Sequence, residues 1–316
     1  MSTPLPPPTS SARGDNGART VALVGDFIQS QLAAHRLEWS SKNSTSTPPP
    51  PLFVGVQGPQ GCGKSHLTSL LPAYLGKASP PITTASLSLD DLYLPHSSLL
   101  SLASSHPTNT LLQGRGQPGT HDLPLALRVL SSLQSGLPTT LPTFDKSKFS
   151  GQGDRSDVVV EVRERVDVVI FEGWMMGFGA LENGEVERRW GDDEFAERLD
   201  YEVPFCREHK VEDLEFVNEE LGKYGSLWEF LGAFVMLRPE TMEYVWQWRL
   251  EQEHNMKANN GGVGMSDEEV KAFIARYMPG YELFMEGIES PTAPWKGKGL
   301  KLRIGRGRDV VATENF

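Results

Sequence analysis

Residues 58–65 read GPQGCGKS and directly follow the apolar run Leu52–Val56. Their spacing matches G-x-x-x-x-G-K-[ST], the pattern of a loop that binds phosphate groups. The three glycines would adopt positive φ angles and let backbone N–H groups approach phosphate oxygens. Lys64 would add a positive charge at the β- and γ-phosphates. Ser65 would ligate Mg²⁺ and open a helix whose dipole favours the anion.

The whole stretch is expected to contact a nucleotide, through Gly58, Pro59, Gln60, Gly61, Cys62, Gly63, Lys64, Ser65 and His66. Cys62 lies near Lys64 and a predicted helix N-terminus, a position that can lower the pKa of a thiol. The alternative is that Cys62 is an incidental small residue, since phosphoryl transfer needs no thiol there.

A second strand should bring a carboxylate to the same place. The run VDVVIF at residues 166–171 is typical of a strand buried in a parallel sheet, and Glu172 follows at its C-terminal end. Parallel sheets bind ligands at that edge. Glu172 is therefore predicted to hold Mg²⁺, directly or through water, together with Ser65. An acidic residue that merely ends a strand is the alternative.

Further carboxylates follow a third predicted strand, in the segment SLDDLYLP with Asp90, Asp91 and Tyr93. A kinase that acts on a small hydroxyl compound needs a base, or at least an acceptor, for the proton of the attacking oxygen. The alternative is that the two aspartates only cap the next turn. The sequence has no Asn-Lys-x-Asp motif, which argues against a GTP switch.

The hydrophobic pattern predicts an α/β fold in which strands alternate with helices around a parallel sheet. Helices are expected at Thr20–Trp39, His66–Leu75, Thr241–Lys257 and Ser266–Ile288, and after Asp122; strands are expected at Leu52–Val56, Ala85–Leu89, Val166–Phe171, Ala233–Leu237 and Leu300–Ile304. Residues 1–18 are rich in Pro, Ser and Gly, and we expect disorder there. Residues 19–316 are expected to form one domain, with a helical insertion at 179–224.

The chain has 316 residues and a net charge of −11, which argues against general nucleic-acid binding. Its two cysteines, Cys62 and Cys206, suggest a reducing compartment rather than a disulfide framework. No apolar run reaches the roughly 18–20 residues of a membrane helix. We therefore expect a cytoplasmic protein, with the nucleus as an alternative, that acts on a small molecule as a monomer or homodimer without nucleic-acid or membrane partners.

Four segments follow the phosphate-binding pattern in a fixed order: SLDDLYLP, RGQPGTHDL, FDKSKFSGQGDRSD and VVIFEGWMMGF. With the later VWQWRLEQEH and RYMPGYELF, they resemble the D-glycerate 3-kinase-like family, which is related to phosphoribulokinase, uridine kinase and pantothenate kinase. The resemblance runs from about Thr20 to the C-terminus. It implies a P-loop NTPase three-layer sandwich with a mostly parallel sheet and a helical lid, and ATP with Mg²⁺ as cofactors.

The resemblance also implies roles for residues. It makes Asp90 the proton-accepting carboxylate, with Lys64 and Arg249 at the transferring phosphoryl group. The substrate residues that it implies are Asp91, Tyr93, Arg115, His121, Asp122, Lys146 and Arg155. Several of these residues have a structural alternative: a helix N-cap for Asp122, a satisfied buried histidine for His121, a solvated loop for the cations near Lys146, and an ion pair with Glu253 for Arg249. We expect Tyr277 and Tyr281 to form core or wall.

The function implied is transfer of the γ-phosphoryl group of ATP to a hydroxyl group of a small acidic metabolite, with the 3-hydroxyl of D-glycerate first. Basic residues in the acceptor motifs favour an acid over a neutral nucleoside. The alternatives are a kinase for pantothenate, a pentose phosphate or a nucleoside, and an ATP-binding regulatory protein without metabolite turnover.

Overall fold

The computed structural model of the chain describes residues 10–43, 48–199, 204–259 and 261–316. In these ranges the strands are β1 (Leu52–Gln57), β2 (Thr84–Ser88), β3 (Thr139–Leu141), β4 (Phe144–Asp145), β5 (Asp154–Arg155), β6 (Val160–Val162), β7 (Val168–Gly173), β8 (Ala233–Pro239), β9 (Gly299–Ile304) and β10 (Val310–Asn315). Six of them form the central sheet in the order β10-β9-β8-β1-β7-β2. Only the β9–β10 pair of this sheet is antiparallel. The predicted mostly parallel α/β sheet is therefore confirmed.

The helices of the described residues are α1 (Ser10–Lys42), α2 (Lys64–Leu75), α3 (His96–Ser105), α4 (Leu123–Gln134), α5 (Glu185–Gly191), α6 (Asp193–Glu197), α7 (Val211–Gly222), α8 (Gly225–Trp228), α9 (Glu243–Asn259), α10 (Asp267–Ala275) and α11 (Met278–Phe284). Helices α5, α6 and α7 fall within residues 179–224, where the sequence predicts a helical insertion. Short 3₁₀ helices supplement them, including Leu89–Leu92 directly after β2.

Alternate residues of the central strands enter two separate cores. On β1, Phe53 belongs to the core that also contains residues of α4, α7 and α11, whereas Val54 belongs to the core formed with α1 and α2. Since successive side chains of a strand point to opposite faces, this division shows that helices cover both faces of the sheet. Burial of each large apolar side chain contributes about 1.5–3 kcal/mol to this three-layer arrangement.

Helix α1 starts earlier than the sequence predicts. It begins at Ser10 rather than near Thr20, so the predicted disorder is wrong for residues 10–18, whereas residues 1–9 lie outside the described residues. No proline occurs between Pro8 and Lys42. A helix anchored by the buried side chains of Val24 and Ile28 can therefore extend toward the N-terminus, because elongation adds one hydrogen bond per residue after nucleation.

The segment Ser266–Ile288 is also not the single helix that was predicted. Its start is confirmed, since Ser266 and Glu269 form the predicted capping box. Helix α10 ends at Ala275, and α11 then begins at Met278 with Pro279 in its first turn. Because proline lacks an N–H group and its ring clashes with the preceding turn, this position favours the end of one helix and the start of another.

The sheet order brings three chain-distant segments together at one edge. Strand β7 lies between β1 and β2, with Gln57 opposite Gly173 and Ser88 opposite Glu172. All three strands are parallel, so their C-terminal ends meet. The loop after β1, the residue Glu172 and the turn after β2 therefore surround one site.

Candidate active site

The phosphate loop, Gly58–Ser65, connects β1 to α2 and uses its glycines for two different purposes. Gly61 and Gly63 have φ angles of 78° and 97°, as predicted. Gly58 does not use the positive φ that glycine allows, since it is absent from the positive-φ residues. A Cβ atom on Gly58 would lie 2.6 Å from Cys62 Sγ and 3.0 Å from Leu237 Cβ. Gly58 is therefore required for close packing.

The remaining residues of the loop hold its shape and face neighbouring helices. The carbonyl group of Pro59 accepts a hydrogen bond from Cys62 N–H at 3.4 Å. Burial raises the pKa of the Cys62 thiol, although Lys64 opposes the shift, so the suggested acidic thiol is wrong. Ser65 and His66 are exposed at the start of α2, and a Cβ atom on Gly17 of α1 would lie 3.2 Å from His66 Nε2.

Lys64 and Glu172 form the ion pair that the sheet order brings together. Lys64 Nζ lies 2.8 Å from Glu172 Oε2, and both side chains are largely buried. Burial alone lowers the pKa of Lys64, but the carboxylate of Glu172 more than offsets it, so the pKa rises. Lys64 therefore stays positively charged at the point where the loop would meet phosphate.

Asp90 is an ionised carboxylate beside this pair. Tyr93 Oη donates a hydrogen bond to Asp90 Oδ1 at 2.8 Å, and Lys146 forms an ion pair with Oδ2. Burial acts to raise the pKa of Asp90, but the ammonium of Lys146, supported by Lys64 and Tyr93, lowers it to about 2. Asp90 therefore carries a full negative charge near neutral pH.

Its neighbour Asp91 has a different environment. Asp91 Oδ1 accepts a hydrogen bond from the N–H of Phe144 at 3.0 Å, which ties the turn after β2 to strand β4. Burial raises the pKa of Asp91, and the charges of Asp90 and Glu172 add to the increase. The two aspartates thus differ in role: Asp90 faces cations, whereas Asp91 supports the backbone.

His121 belongs to the acceptor loop, which we define as Gly114–Asp122. The ring of Tyr93 stacks on that of His121 at a centroid distance of 4.5 Å. Tyr224 Oη accepts a hydrogen bond from Gly119 N–H at 3.2 Å and lies 2.7 Å from His121 Nδ1. Tyr224 can therefore donate its own hydrogen to Nδ1, an arrangement that would leave the proton of the neutral imidazole on Nε2.

This imidazole is uncharged. Burial lowers the pKa of His121 to about 3, although the carboxylate of Asp90 opposes the shift. The ring therefore carries no charge near pH 7, so His121 would contact an acid through a hydrogen bond and not through a positive charge. Its Nε2 atom is buried and has no hydrogen-bond partner among the described residues. His121 can therefore donate one hydrogen bond to a bound molecule.

The predicted cations of the acceptor region all have protein partners. Arg115 Nη1 donates to the carbonyl groups of Gly151 and Gln152, at 2.7 and 2.5 Å. Arg155 Nη2 pairs with Asp122 Oδ2 at 2.5 Å. Asp122 Oδ1 also accepts the N–H of Leu125 at 2.9 Å, which makes Asp122 the N-cap of α4. The structural alternative for Asp122 is therefore what the geometry supports.

Arg249 lies on α9, directly beside the phosphate loop. A Cβ atom on Gly61 would lie 3.4 Å from Arg249 N, so the helix and the loop are in contact. Arg249 Nη2 forms the alternative ion pair with Glu253, at 2.8 Å, and its guanidinium lies 5.2 Å from the ring centroid of Phe273. Its Nε atom is buried without a hydrogen-bond partner among the described residues.

Two contacts with the phosphate loop escaped the sequence analysis. Arg308, in the turn between β9 and β10, donates from Nε to the carbonyl group of Gly61 at 2.7 Å. Tyr281 Oη on α11 donates to Gln60 Oε1 at 2.9 Å. The motif around Tyr281 was noted in the sequence, but no local pattern indicates that either residue reaches a loop more than 200 positions away in the chain.

The tryptophan of the FEGW motif connects this region to the acceptor loop. Trp174 Nε1 donates a hydrogen bond to the carbonyl group of Gly116 at 3.0 Å. Its ring also packs edge to face against Tyr281, with centroids 5.3 Å apart. The strand that delivers Glu172 therefore also holds the acceptor loop.

Comparisons with known proteins identify the architecture. A solved D-glycerate 3-kinase from Cryptococcus neoformans var. grubii superposes with a TM-score of 0.86 and 48% identity, over 94% of this chain and 99% of that chain. The uncharacterized kinase mug58 of Schizosaccharomyces pombe is 36% identical over 241 residues, which are 74% of this chain and 81% of that protein. The chain belongs to the D-glycerate 3-kinase-like family of P-loop kinases. Both the resemblance drawn from the motifs and the predicted P-loop fold are confirmed.

Another relative of this kinase is longer. The chloroplastic D-glycerate 3-kinase of Arabidopsis thaliana is 34% identical over 294 residues, and the match covers 90% of this chain but 58% of the Arabidopsis protein. No protein-family model matches the chain. Among residues 10–43, 48–199, 204–259 and 261–316, no helix has the length and apolar character needed to span a membrane.

Proposed function

We propose that this kinase transfers the γ-phosphoryl group of ATP to the 3-hydroxyl group of D-glycerate, with Mg²⁺ at the phosphates. The observation that carries the proposal is the place of the Asp90 carboxylate in the turn after β2, where Ser88 lies opposite Glu172, the ion-pair partner of Lys64. A hydroxyl group held by Asp90 would thus lie close to a phosphate held by Lys64. The printed names of the Cryptococcus and Arabidopsis relatives support D-glycerate as the acceptor.

The triphosphate would bind along residues Gly58–His66. Gly61 and Gly63 have the left-handed backbone that turns N–H groups toward an anion, and Lys64 supplies the charge. The ammonium of Lys64 now pairs with Glu172. Bound phosphates would share or take over this ammonium, which would make the carboxylate of Glu172 available for another cation.

The residues at this edge fit Mg²⁺. The donors are the exposed hydroxyl of Ser65 and the carboxylate of Glu172, both hard oxygen ligands of the kind that Mg²⁺ prefers. No cluster of three or more His, Cys, Asp or Glu side chains suited to a metal occurs in the described part of the chain. This suits Mg²⁺, which is usually held by one or two carboxylates together with substrate phosphates. When bound, it would neutralise charge on the phosphates.

Asp90 would orient the attacking hydroxyl rather than act as a strong base. A carboxylate with a pKa of about 2 is far from the optimum near the working pH for general-base catalysis. Phosphoryl transfer passes through a loose transition state in most analyses, so positioning and charge stabilisation matter most. Asp90 would accept the hydrogen of the 3-hydroxyl and receive its proton as the new bond to phosphorus forms.

The acceptor would lie between the turn after β2, the acceptor loop and the segment Asp145–Arg155. His121 Nε2 is a neutral donor for one of its oxygens, and Tyr93 fixes both His121 and Asp90. Lys146 and Arg115 would supply positive charge for the carboxylate of an acid. We assign weaker roles to Arg155, which is neutralised by Asp122, and to Asp91, which supports the backbone.

Arg249 is proposed to stabilise charge on the transferring phosphoryl group. Its helix contacts Gly61, and the orphaned Nε shows that the ion pair with Glu253 leaves part of its hydrogen-bonding capacity unused. A guanidinium beside the phosphate loop can act in this way once the triphosphate is bound.

Cytoplasmic location and a monomeric or homodimeric state stay predictions. The location is supported by the two buried free cysteines, which suit a reducing compartment.

Asp90→Asn tests the proposal through ADP release with D-glycerate as the acceptor. We expect wild-type turnover to depend on D-glycerate, and the variant to lose about 10²–10⁴ in kcat while keeping its affinity for ATP. Wild-type protein without glycerate-dependent ADP release would contradict the acceptor. Near-normal turnover in Asp90→Asn, with loss in Asp91→Asn, would exchange the roles of the two aspartates.

A further inference from the structure

Helix α11 presents two tyrosines that are one turn apart. Tyr277 is its N-cap residue, with helical backbone angles, and Tyr281 lies four residues later. Residues four apart share one face of a helix and are displaced by about 6 Å along its axis. Since Tyr281 donates its hydrogen to Gln60 of the phosphate loop, this face is directed at the active site. Tyr277 continues the same face, away from the phosphate loop.

The side chain of Tyr277 reaches the acceptor loop. A Cβ atom on Gly116 would lie 2.6 Å from Tyr277 Oη and 3.1 Å from its Cζ. Gly116 also has a φ angle of 131°, which L side chains rarely adopt. The indole of Trp174 fixes both partners, because it donates to the Gly116 carbonyl and packs edge to face on Tyr277 at 4.9 Å. The acceptor loop therefore has a glycine at the position where any side chain would collide with the phenol of Tyr277.

The hydroxyl group of Tyr277 has no hydrogen-bond partner in the part of the chain that the structure describes. Only 6% of the residue is exposed. The Tyr277 oxygen is not among the described buried side-chain atoms that lack a hydrogen-bond partner, so it reaches solvent although the ring is buried. A solvent-accessible hydroxyl that lies against the acceptor loop without a protein partner can bond to a molecule held in that space.

The charges around this hydroxyl indicate what it would bind. Burial raises the pKa of Tyr277 to about 12, so the phenol is a hydrogen donor near pH 7. The guanidinium groups of Arg276, Arg115 and Arg249 act on it, as does the carboxylate of Asp90. Three cations and one anion around a neutral donor favour an anionic oxygen as its acceptor.

We propose that Tyr277 is a specificity-determining residue that donates its hydroxyl hydrogen to the carboxylate of the acid acceptor. The inference rests on the proposed function in one respect, that the acceptor is an acid. Tyr277 holds the carboxylate end on the side of the acceptor loop, and Asp90 holds the hydroxyl end on the side of the phosphate loop. Gly116 keeps the space that this arrangement requires.

Tyr277→Phe tests the inference because it removes one oxygen and keeps the ring. We expect the KM for D-glycerate to rise about 10- to 100-fold, as for loss of a hydrogen bond to a charged group, with the KM for ATP changed less than about twofold. The rise in Tm caused by D-glycerate should be lost, while the rise caused by ATP is retained. The matched control is Tyr74→Phe, which removes the hydroxyl that donates to Asp26 Oδ1 at 2.7 Å, away from the site.

An unchanged KM for D-glycerate in Tyr277→Phe overturns the inference and leaves the proposed function intact. Equal increases in both KM values with a lowered Tm also overturn it, since they indicate a structural role. If the wild type phosphorylates pantothenate and not D-glycerate, the named substrate fails, and the same comparison made with pantothenate decides the role of Tyr277. If the wild type phosphorylates only neutral compounds, both the proposed function and the role proposed for Tyr277 are overturned.

Discussion

At the level of single residues, the site is defined by how its charges are balanced. Lys64 pairs with Glu172, and Lys146 pairs with Asp90. Arg115 is held by backbone carbonyl groups and keeps its net charge. The pairs are close to neutral, so little positive charge is exposed before substrates bind. A bound phosphate and a bound acid would therefore take the place of carboxylates that already pair with these lysines.

The pairing of Asp90 predicts a pH dependence of stability. The pKa of Asp90 falls from 3.8 to about 2 in the folded protein, so the unfolded chain binds the proton more tightly. The contribution of Asp90 to the free energy of unfolding is therefore complete above about pH 4 and is lost as the pH falls through about 2. A shift of this size corresponds to about 2 kcal/mol, of which roughly half remains near pH 3.

Urea unfolding of the wild type and Asp90→Asn across this range measures the effect. We expect the wild type to be more stable by about 2 kcal/mol near pH 6, and this difference to decrease toward about pH 3. A difference that is constant with pH would mean that the Asp90–Lys146 pair does not lower the pKa as described.

The residues that form the site were easier to predict from the sequence than their charge and hydrogen bonding. The phosphate-loop pattern and the strand before Glu172 sufficed to predict that the loop and Glu172 lie at one edge of the sheet, but not the ion pair between Lys64 and Glu172. The neutral state of His121 was not predictable, because it depends on the burial of the ring in the folded protein, which lowers its pKa. The pairing of Arg155 with Asp122 likewise depends on the folding of a loop without a periodic pattern.

At the level of elements, the turn between β9 and β10 supports the phosphate loop. Arg308 occupies this turn with a φ angle of 62°, although it is not glycine. Besides its bond to Gly61, its Nη1 pairs with Glu251 at 2.8 Å and its guanidinium lies 5.6 Å from the ring centroid of Trp248. A strained backbone fixed by several contacts is typical of a functional site. The turn therefore links α9 to the phosphate loop.

Arg308→Gly and Arg308→Ala separate the side-chain contacts from the backbone strain. Both remove the bond to Gly61, so we expect the KM for ATP to rise about 5- to 10-fold in each, as for a lost hydrogen bond. Glycine tolerates the positive φ angle, whereas alanine does not, so the alanine variant should be less stable by about 1 kcal/mol. ATP kinetics and thermal unfolding of the two variants check this. An unchanged KM for ATP in both would remove the proposed support.

Long apolar runs made the central strands and the flanking helices predictable. Strand β10 was missed because it lies at the edge of the sheet, and most of its residues are exposed, which leaves no continuous apolar run. The division between α10 and α11 was missed because helical spacing continues across Pro279. Tyr277 and Tyr281 belong to the buried core, as expected, but the contact of the Tyr277 hydroxyl with Gly116 depends on a residue far away in the chain and was not predictable.

At the level of the whole molecule, a parallel sheet gathers a site from segments that are far apart in sequence. The net charge of −11 repels anionic substrates at long range, so local cations and backbone N–H groups at the sheet edge must offset it. Helices α9 and α11 contact the phosphate loop and contribute Arg249, Tyr277 and Tyr281. In the proposed function, nucleotide and acceptor would bind between the sheet edge and these two helices.

The most direct test of the account is the identity of the phosphorylated product. The purified protein is incubated with ATP, Mg²⁺ and D-glycerate, or with pantothenate, a pentose phosphate or uridine, and the product is analysed by ³¹P and ¹H NMR, with Lys64→Ala as the inactive control. The account predicts 3-phosphoglycerate as the main product, formed by the wild type and not by Lys64→Ala. Phosphorylation at another glycerate hydroxyl, faster turnover of another acceptor, or full activity in Lys64→Ala would contradict it.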